Sequence, residues 1–124
     1  MKTRIRISES EWEVMNIVWE KTPVPAGDVV ELLETKKGWR ERTTRTLIDR
    51  LVKKGVLRAE RDGKRFLYRP KLTKEDCVQK ESRSFLERVF GGEPAAMLIH
   101  LVSQTKLSQE EVEELQRILK QKKD

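Results

Sequence analysis

Apolar spacing reads helix, short strand, helix, helix and a two-stranded hairpin, then three more helices, and this order predicts a mainly α protein with a small β wing. In fold terms it is a winged helix-turn-helix domain over residues 1–71 followed by a helical domain over residues 72–124. Charge divides at the same place. The net charge is +6, and residues 1–70 hold 17 Lys/Arg against 11 Asp/Glu, whereas residues 71–124 hold 10 of each. The excess positive charge thus lies in the first half, as expected of a domain that meets a polyanion. From charge alone, a solvated Lys/Arg-rich surface is the alternative.

Ser8 and Glu11 form a capping box, in which each side chain satisfies the other's backbone N–H at a helix start. Ile7 and Trp12 stand at the staple positions, and Trp12, Met15, Val18 and Trp19 follow on one face, so the first helix runs to about Lys21. Thr22-Pro23-Val24-Pro25 breaks it and favours a short extended piece around Val24. Pro25 can open the second helix, with Val29, Leu32 and Leu33 inward and Gly38 as its stop. The third helix runs from about Arg42 to Lys54 and stops at Gly55. Leu47, Ile48, Leu51 and Val52 are its apolar face, opposite Arg42, Arg45, Thr46, Asp49, Arg50 and Lys53.

The period then changes to two. Val56 to Arg61 reads as a strand, Asp62-Gly63 as the hairpin turn, and Phe66 and Tyr68 alternate on the returning strand up to Pro70. The tip, Arg61-Asp62-Gly63-Lys64-Arg65, carries three cations. Beyond it, Thr73 and Asp76 cap a fourth helix that ends at Gly91-Gly92, Pro94 opens a fifth, and Ser108 with Glu111 boxes the start of a sixth. Charged residues are 39% of the chain and aromatics 6%. Two separate cores of about 60 residues would each be marginal at that composition, so pairing of the second half with another copy would supply the missing burial.

Cys77 and His100 are the only residues of their types, too few for a closed zinc site, and a single cysteine fits a reducing cytoplasm. No metal or cofactor is expected. An apolar run of about 18 residues is lacking, and the basic opening Met1–Arg6 has no apolar stretch of the kind a signal peptide needs, so a cytoplasmic protein without membrane insertion is expected. A nucleophile–base constellation and a phosphate-cradling glycine loop are also lacking, which argues against an enzyme.

In winged helix-turn-helix topology the third helix enters the major groove. Its first turns reach deepest, which makes Arg42, Thr43, Arg45 and Thr46 the candidates for reading bases. Arg can bond guanine O6 and N7 together, and Thr offers a hydroxyl and a methyl. Arg50 and Lys53 further along, with Lys64 and Arg65 on the wing, are the candidates for the DNA backbone. The bland reading of the helix is a solvated face with pairs one turn apart, such as Arg45 with Asp49 or Arg42 with Thr46. The rival of another class is a winged-helix interaction adaptor without sequence-specific DNA binding. Trp12 and Trp19 are assigned to the core; Trp39, before the third helix, can pack or touch backbone.

The run Ile7-Ser8-Glu9-Ser10-Glu11-Trp12-Glu13-Val14-Met15-Asn16-Ile17-Val18-Trp19 resembles the opening of the penicillinase-repressor (BlaI/MecI/CopY) family. So do Thr43-Thr44-Arg45-Thr46-Leu47-Ile48-Asp49-Arg50-Leu51-Val52-Lys53-Lys54-Gly55, the wing ending Tyr68-Arg69-Pro70, Ser84-Phe85-Leu86 and Leu107-Ser108-Gln109-Glu110-Glu111. The resemblance implies a homodimeric transcriptional repressor on a palindromic operator, with the C-terminal helices forming the dimer. The interface candidates are then Val78, Phe85, Leu86 and Val89 on the fourth helix, Leu98, Leu101 and Val102 on the fifth, and Leu115, Ile118 and Leu119 on the sixth.

The resemblance also implies two modes of release. In the antibiotic-resistance branch a membrane sensor-protease leads to cleavage in the fifth helix, and the matching bond here is His100–Leu101, where the family has Asn-Phe. In the copper branch a C-terminal cysteine cluster senses metal, but this tail, Lys120-Gln121-Lys122-Lys123-Asp124, has no cysteine. A further departure is Arg40-Glu41-Arg42 at the start of the recognition helix, where the family often has Pro.

Overall fold

Ser8 Oγ accepts the Glu11 N–H at 3.2 Å, and Glu11 Oε1 accepts the Ser8 N–H at 2.8 Å, so both expected bonds of the capping box form. They start helix α1, Glu9–Lys21, in the computed structural model, which describes residues 6–123. Most of the basic opening Met1–Arg6 lies outside the described residues. Val14, Met15 and Val18 of α1 are fully buried, with Ile7 in the same core. Trp12 and Trp19 pack against that core with ring centroids 5.6 Å apart, and Trp19 Nε1 donates to the Leu72 carbonyl at 3.0 Å. Trp39 also packs against it.

Strand β1 is Val24–Pro25, and helix α2 is Ala26–Lys37. Pro25 is the N-cap of α2 rather than its first helical residue, because it pairs with Leu67 in the sheet. Gly38 ends α2 at φ +69°, a left-handed conformation that glycine adopts without a Cβ clash. The buried face of α2 is Val29, Val30 and Leu33, and Leu32 is 37% exposed. Leu32 lies roughly 100° around the helix from the centre of that stripe, so the expected inward leucine faces out. Leu33→Ala is expected to lower the unfolding free energy by about 3 kcal/mol, measured as a shift of the urea midpoint.

Helix α3 is Glu41–Lys53, one residue earlier at each end than expected from the sequence. Strands β2, Leu57–Asp62, and β3, Arg65–Pro70, form the wing. The three strands are antiparallel in the order β1-β3-β2. Asp62 pairs with Arg65, which makes the two-residue loop Gly63-Lys64 rather than Asp62-Gly63. Gly63 takes φ +65° in the first loop position, as a type II′ hairpin turn requires.

Helix α4, Lys74–Phe90, starts where Thr73 Oγ1 accepts the Asp76 N–H at 3.0 Å, and α5 is Pro94–Gln104. Helix α6, Gln109–Gln121, begins with the expected capping box of Ser108 and Glu111. The chain forms two compact units that divide between Glu81 and Ser82, inside α4 and not at residues 71/72. The reason is Cys77, which is buried in the core of the first unit. In the second unit no residue of α5 or α6 is buried. Its Phe85 and Phe90 rings lie 6.0 Å apart, and Phe90 lies 6.0 Å from the His100 ring.

Candidate nucleic-acid interface

Helix α3 has two chemically distinct sides. Thr44, Leu47, Ile48 and Leu51 are buried, and their spacing of three and four residues holds one face of the helix against the core. Arg42, Thr43, Arg45, Thr46, Asp49, Arg50 and Lys53 are all exposed. All four candidate base readers thus share the free side of the helix with the two candidate backbone contacts that follow them. Thr44 is sterically part of the core, and its hydroxyl has no partner among the described residues.

Among the described residues, the exposed face carries one ion pair. Arg45 Nε donates to Glu41 Oε2 at 2.6 Å, one turn back, rather than pairing with Asp49. The orientation is the favourable one, with the acidic residue N-terminal to the basic one.

The two lysines at the end of α3 have different environments. Lys53 is exposed. Lys54 Nζ is turned back into the protein, 2.5 Å from Glu11 Oε1 and 2.7 Å from the Arg6 carbonyl oxygen. Glu11 is only 1% exposed. Burial pushes its carboxyl up, but the bonds from Lys54 and Ser8 outweigh burial and hold it below the ordinary glutamate value. Sequence spacing placed Lys54 only as the last residue of the helix and did not connect it to Glu11.

On the wing, Lys64 and Arg65 are both exposed at the tip, and Arg65 Nε reaches Asp62 Oδ2 at 3.4 Å. Arg61 lies over the exposed Phe66 ring, 5.6 Å from its centroid, an arrangement that sequence reasoning missed because a loop at Asp62-Gly63 sets Phe66 opposite Ala59. Behind the tip, Glu60 accepts from Arg69 Nε at 2.7 Å and lies 3.6 Å from Arg58 Nη2, which neutralises part of the wing's charge.

The apolar residues predicted for an interface between copies are distributed over both units. Val78 lies in the first and is exposed; in the second, Val89, Leu98, Leu101, Val102, Ile118 and Leu119 are exposed, and Phe85, Leu86 and Leu115 are half-buried. His100 and Leu101 are both exposed and helical, and the His100 carbonyl also accepts from Ser103 Oγ at 2.9 Å. Among the described residues, no group of three or more His, Cys, Asp or Glu is placed to hold a metal ion, and no helix is long and apolar enough to cross a membrane.

A three-helix core with a strand-paired wing, and a third helix that offers a basic face, define a winged-helix protein. The family model described as penicillinase repressor matches residues 7–121, and the chain belongs to that family. The methicillin resistance regulatory protein MecI of Staphylococcus aureus (strain N315) is 40% identical over 116 residues, which cover 94% of each chain. The penicillinase repressor of Bacillus licheniformis is 33% identical over 124 residues, all of this chain and 97% of that one. Among solved structures, the monomeric form of Bacillus licheniformis BlaI in complex with the blaP half-operator superposes with a TM-score of 0.54 at 33% identity, covering 61% of this chain and 93% of that one.

Proposed function

We propose that this protein is a cytoplasmic transcriptional repressor that binds a palindromic operator as a homodimer, with α3 in the major groove. The observation that carries the reading is the free side of α3. Arg42, Thr43, Arg45 and Thr46 stand exposed on its first two turns while the opposite side is locked into the core. A rigid helix of this kind presents bidentate donors to guanine edges at little ordering cost. The BlaI structure solved on a half-operator supports this use of the fold. Arg50, Lys53, Lys64 and Arg65 supply the phosphate contacts that set register.

Two copies are needed because one reading head covers only a half-site. The apolar residues of α4, α5 and α6 supply the pairing surface, since no residue of α5 or α6 is fully buried within one chain. The repressor reading assigns no catalytic step to the protein. For release, the reading includes cleavage at His100–Leu101 through a membrane sensor-protease; because this bond lies inside α5, the helix must unwind locally before a protease can engage it.

Gel-shift titration on the duplex upstream of the protein's own gene is the direct test. Four phosphate contacts per subunit give eight per dimer, so log affinity should fall with log salt at a slope of roughly −7. Arg45→Ala is expected to cost about 1–3 kcal/mol and to relax selectivity at one base pair per half-site. A uniform loss on all sequences would make Arg45 a phosphate contact, and a complex insensitive to both salt and sequence would remove the repressor reading.

A further inference from the structure

We infer that Glu41, the first residue of α3, determines operator specificity by holding the Arg45 guanidinium; the inference rests on the DNA-reading role proposed above for α3. Glu41 Oε2 and Arg45 Nε are 2.6 Å apart, and their side chains are 60% and 51% exposed. An exposed pair this open to water adds little to stability. Its consequence is conformational. Arginine has five N–H donors in a rigid fork. The carboxylate takes the one on Nε and leaves those on the two terminal nitrogens, which can meet guanine O6 and N7 as two parallel bonds. An arginine held in this way has less rotamer freedom to lose on binding and less reach toward a neighbouring phosphate.

The carboxylate also acts on its own account. It stands in the first turn of α3, the part that the proposed docking brings closest to the bases. There it can accept from cytosine N4, but it repels the acceptor edges of guanine and thymine and repels every phosphate. Both effects lower affinity for unmatched DNA more than for the matched site, so Glu41 trades general affinity for discrimination. Nothing comparable steers Arg42 or Arg50, which make no ion pair among the described residues.

The experiment begins with selection from random-sequence duplexes by the full-length protein. Affinities are then measured on the selected duplex, on its single-base variants and on a mixed-sequence duplex of equal length. Glu41→Ala is expected to bind the mixed-sequence duplex at least as tightly as the wild type while discrimination at one base pair per half-site falls about tenfold. Glu41→Gln, which keeps an oxygen acceptor for Nε without the charge, should fall between them. In an Arg45→Ala background, Glu41→Ala should cost much less discrimination at that base pair, only what the carboxylate contributes directly. A structural role alone would weaken all duplexes alike. The inference is overturned if Glu41→Ala weakens every duplex equally, or if discrimination falls as much without Arg45. A wild-type protein that selects no preferred duplex overturns the DNA-reading role itself, and this inference with it.

Discussion

Leu98→Asp combined with Leu101→Asp is expected to convert the protein into a monomer and to weaken operator binding at least about 100-fold. Leu98 and Leu101 are 54% and 44% exposed on α5, a helix with no buried residue. Each is about half exposed, so covering it against a second copy contributes about 1 kcal/mol. The dimer holds four such leucines, so roughly 4 kcal/mol depends on them, before the cost of forcing four carboxylates into the same surface. A loss of that size takes association out of the micromolar range. Each monomer then engages one half-site without the effective concentration that its tethered partner supplies.

The measurement separates this outcome from simple unfolding. Trp12, Trp19 and Trp39 are the only tryptophans of the chain, and all lie in the first unit, so their fluorescence reports the reading head alone. Sedimentation at micromolar concentration should give the mass of one chain while that fluorescence, and its urea midpoint, remain those of the wild type. A double variant that still sediments as a dimer would remove α5 from the interface.

The parts of this architecture that were legible in the sequence depend on residues close together in the chain. Ser8 with Glu11 and Ser108 with Glu111 are three apart, and each pair closes its bonds within one turn of helix whatever surrounds it. Gly38 ends α2 for a reason contained in its own backbone. The hairpin was legible except for its turn. Placing the loop at Gly63-Lys64 moves the partner of Phe66 from Ala59 to Arg61 while every side chain keeps its face of the sheet, so alternation alone could not choose between the two registers.

What was not legible depends on contacts distant in sequence. Whether Val30 or Leu32 turns inward depends on what α1 and α3 present to α2, and periodicity within α2 fits either choice. The unit boundary moved because Cys77, near the start of α4, is anchored in the N-terminal core. The Glu41–Arg45 pair is an intermediate case. Its spacing was visible, and the preference for an acidic residue N-terminal to a basic one could have selected it over Arg45 with Asp49. The exposed side of α3 was read correctly because the helix's amphipathic pattern leaves only one side free.

Lys54→Met is expected to cost about 2–3 kcal/mol of stability at pH 7 and to recover part of that loss on acidification. The pair it breaks joins residues 43 positions apart, tying the start of α1 to the end of α3. Removing one partner of a buried ion pair costs about 3–5 kcal/mol, because the other charge is left in a poorly solvated place. Lys54 is itself a third exposed, which lets water reach the gap and reduces the figure. In the wild type the Glu11 carboxyl is held below its ordinary value, since the bonds from Lys54 and Ser8 outweigh burial. Its contribution is therefore present above the ordinary glutamate range and is lost as pH falls through the lowered value. Without Lys54, two of the interactions that lower the carboxyl are gone while burial and the Ser8 bonds remain, so the carboxyl rises from its wild-type position. The variant therefore lacks much of the stability that the charged form gives the wild type at neutral pH, and the two converge as the carboxyl is protonated. Urea unfolding followed by tryptophan fluorescence should show a gap between variant and wild type that narrows from pH 7 to pH 4. A gap of equal size at both values would mean that Lys54 acts through its methylene packing and its bond to the Arg6 carbonyl, not through the charge on Glu11. Because the Lys54 ammonium is already committed inside the protein, the salt slope of DNA binding should be unchanged in this variant, whereas Lys53→Ala should make it shallower by roughly 2 per dimer.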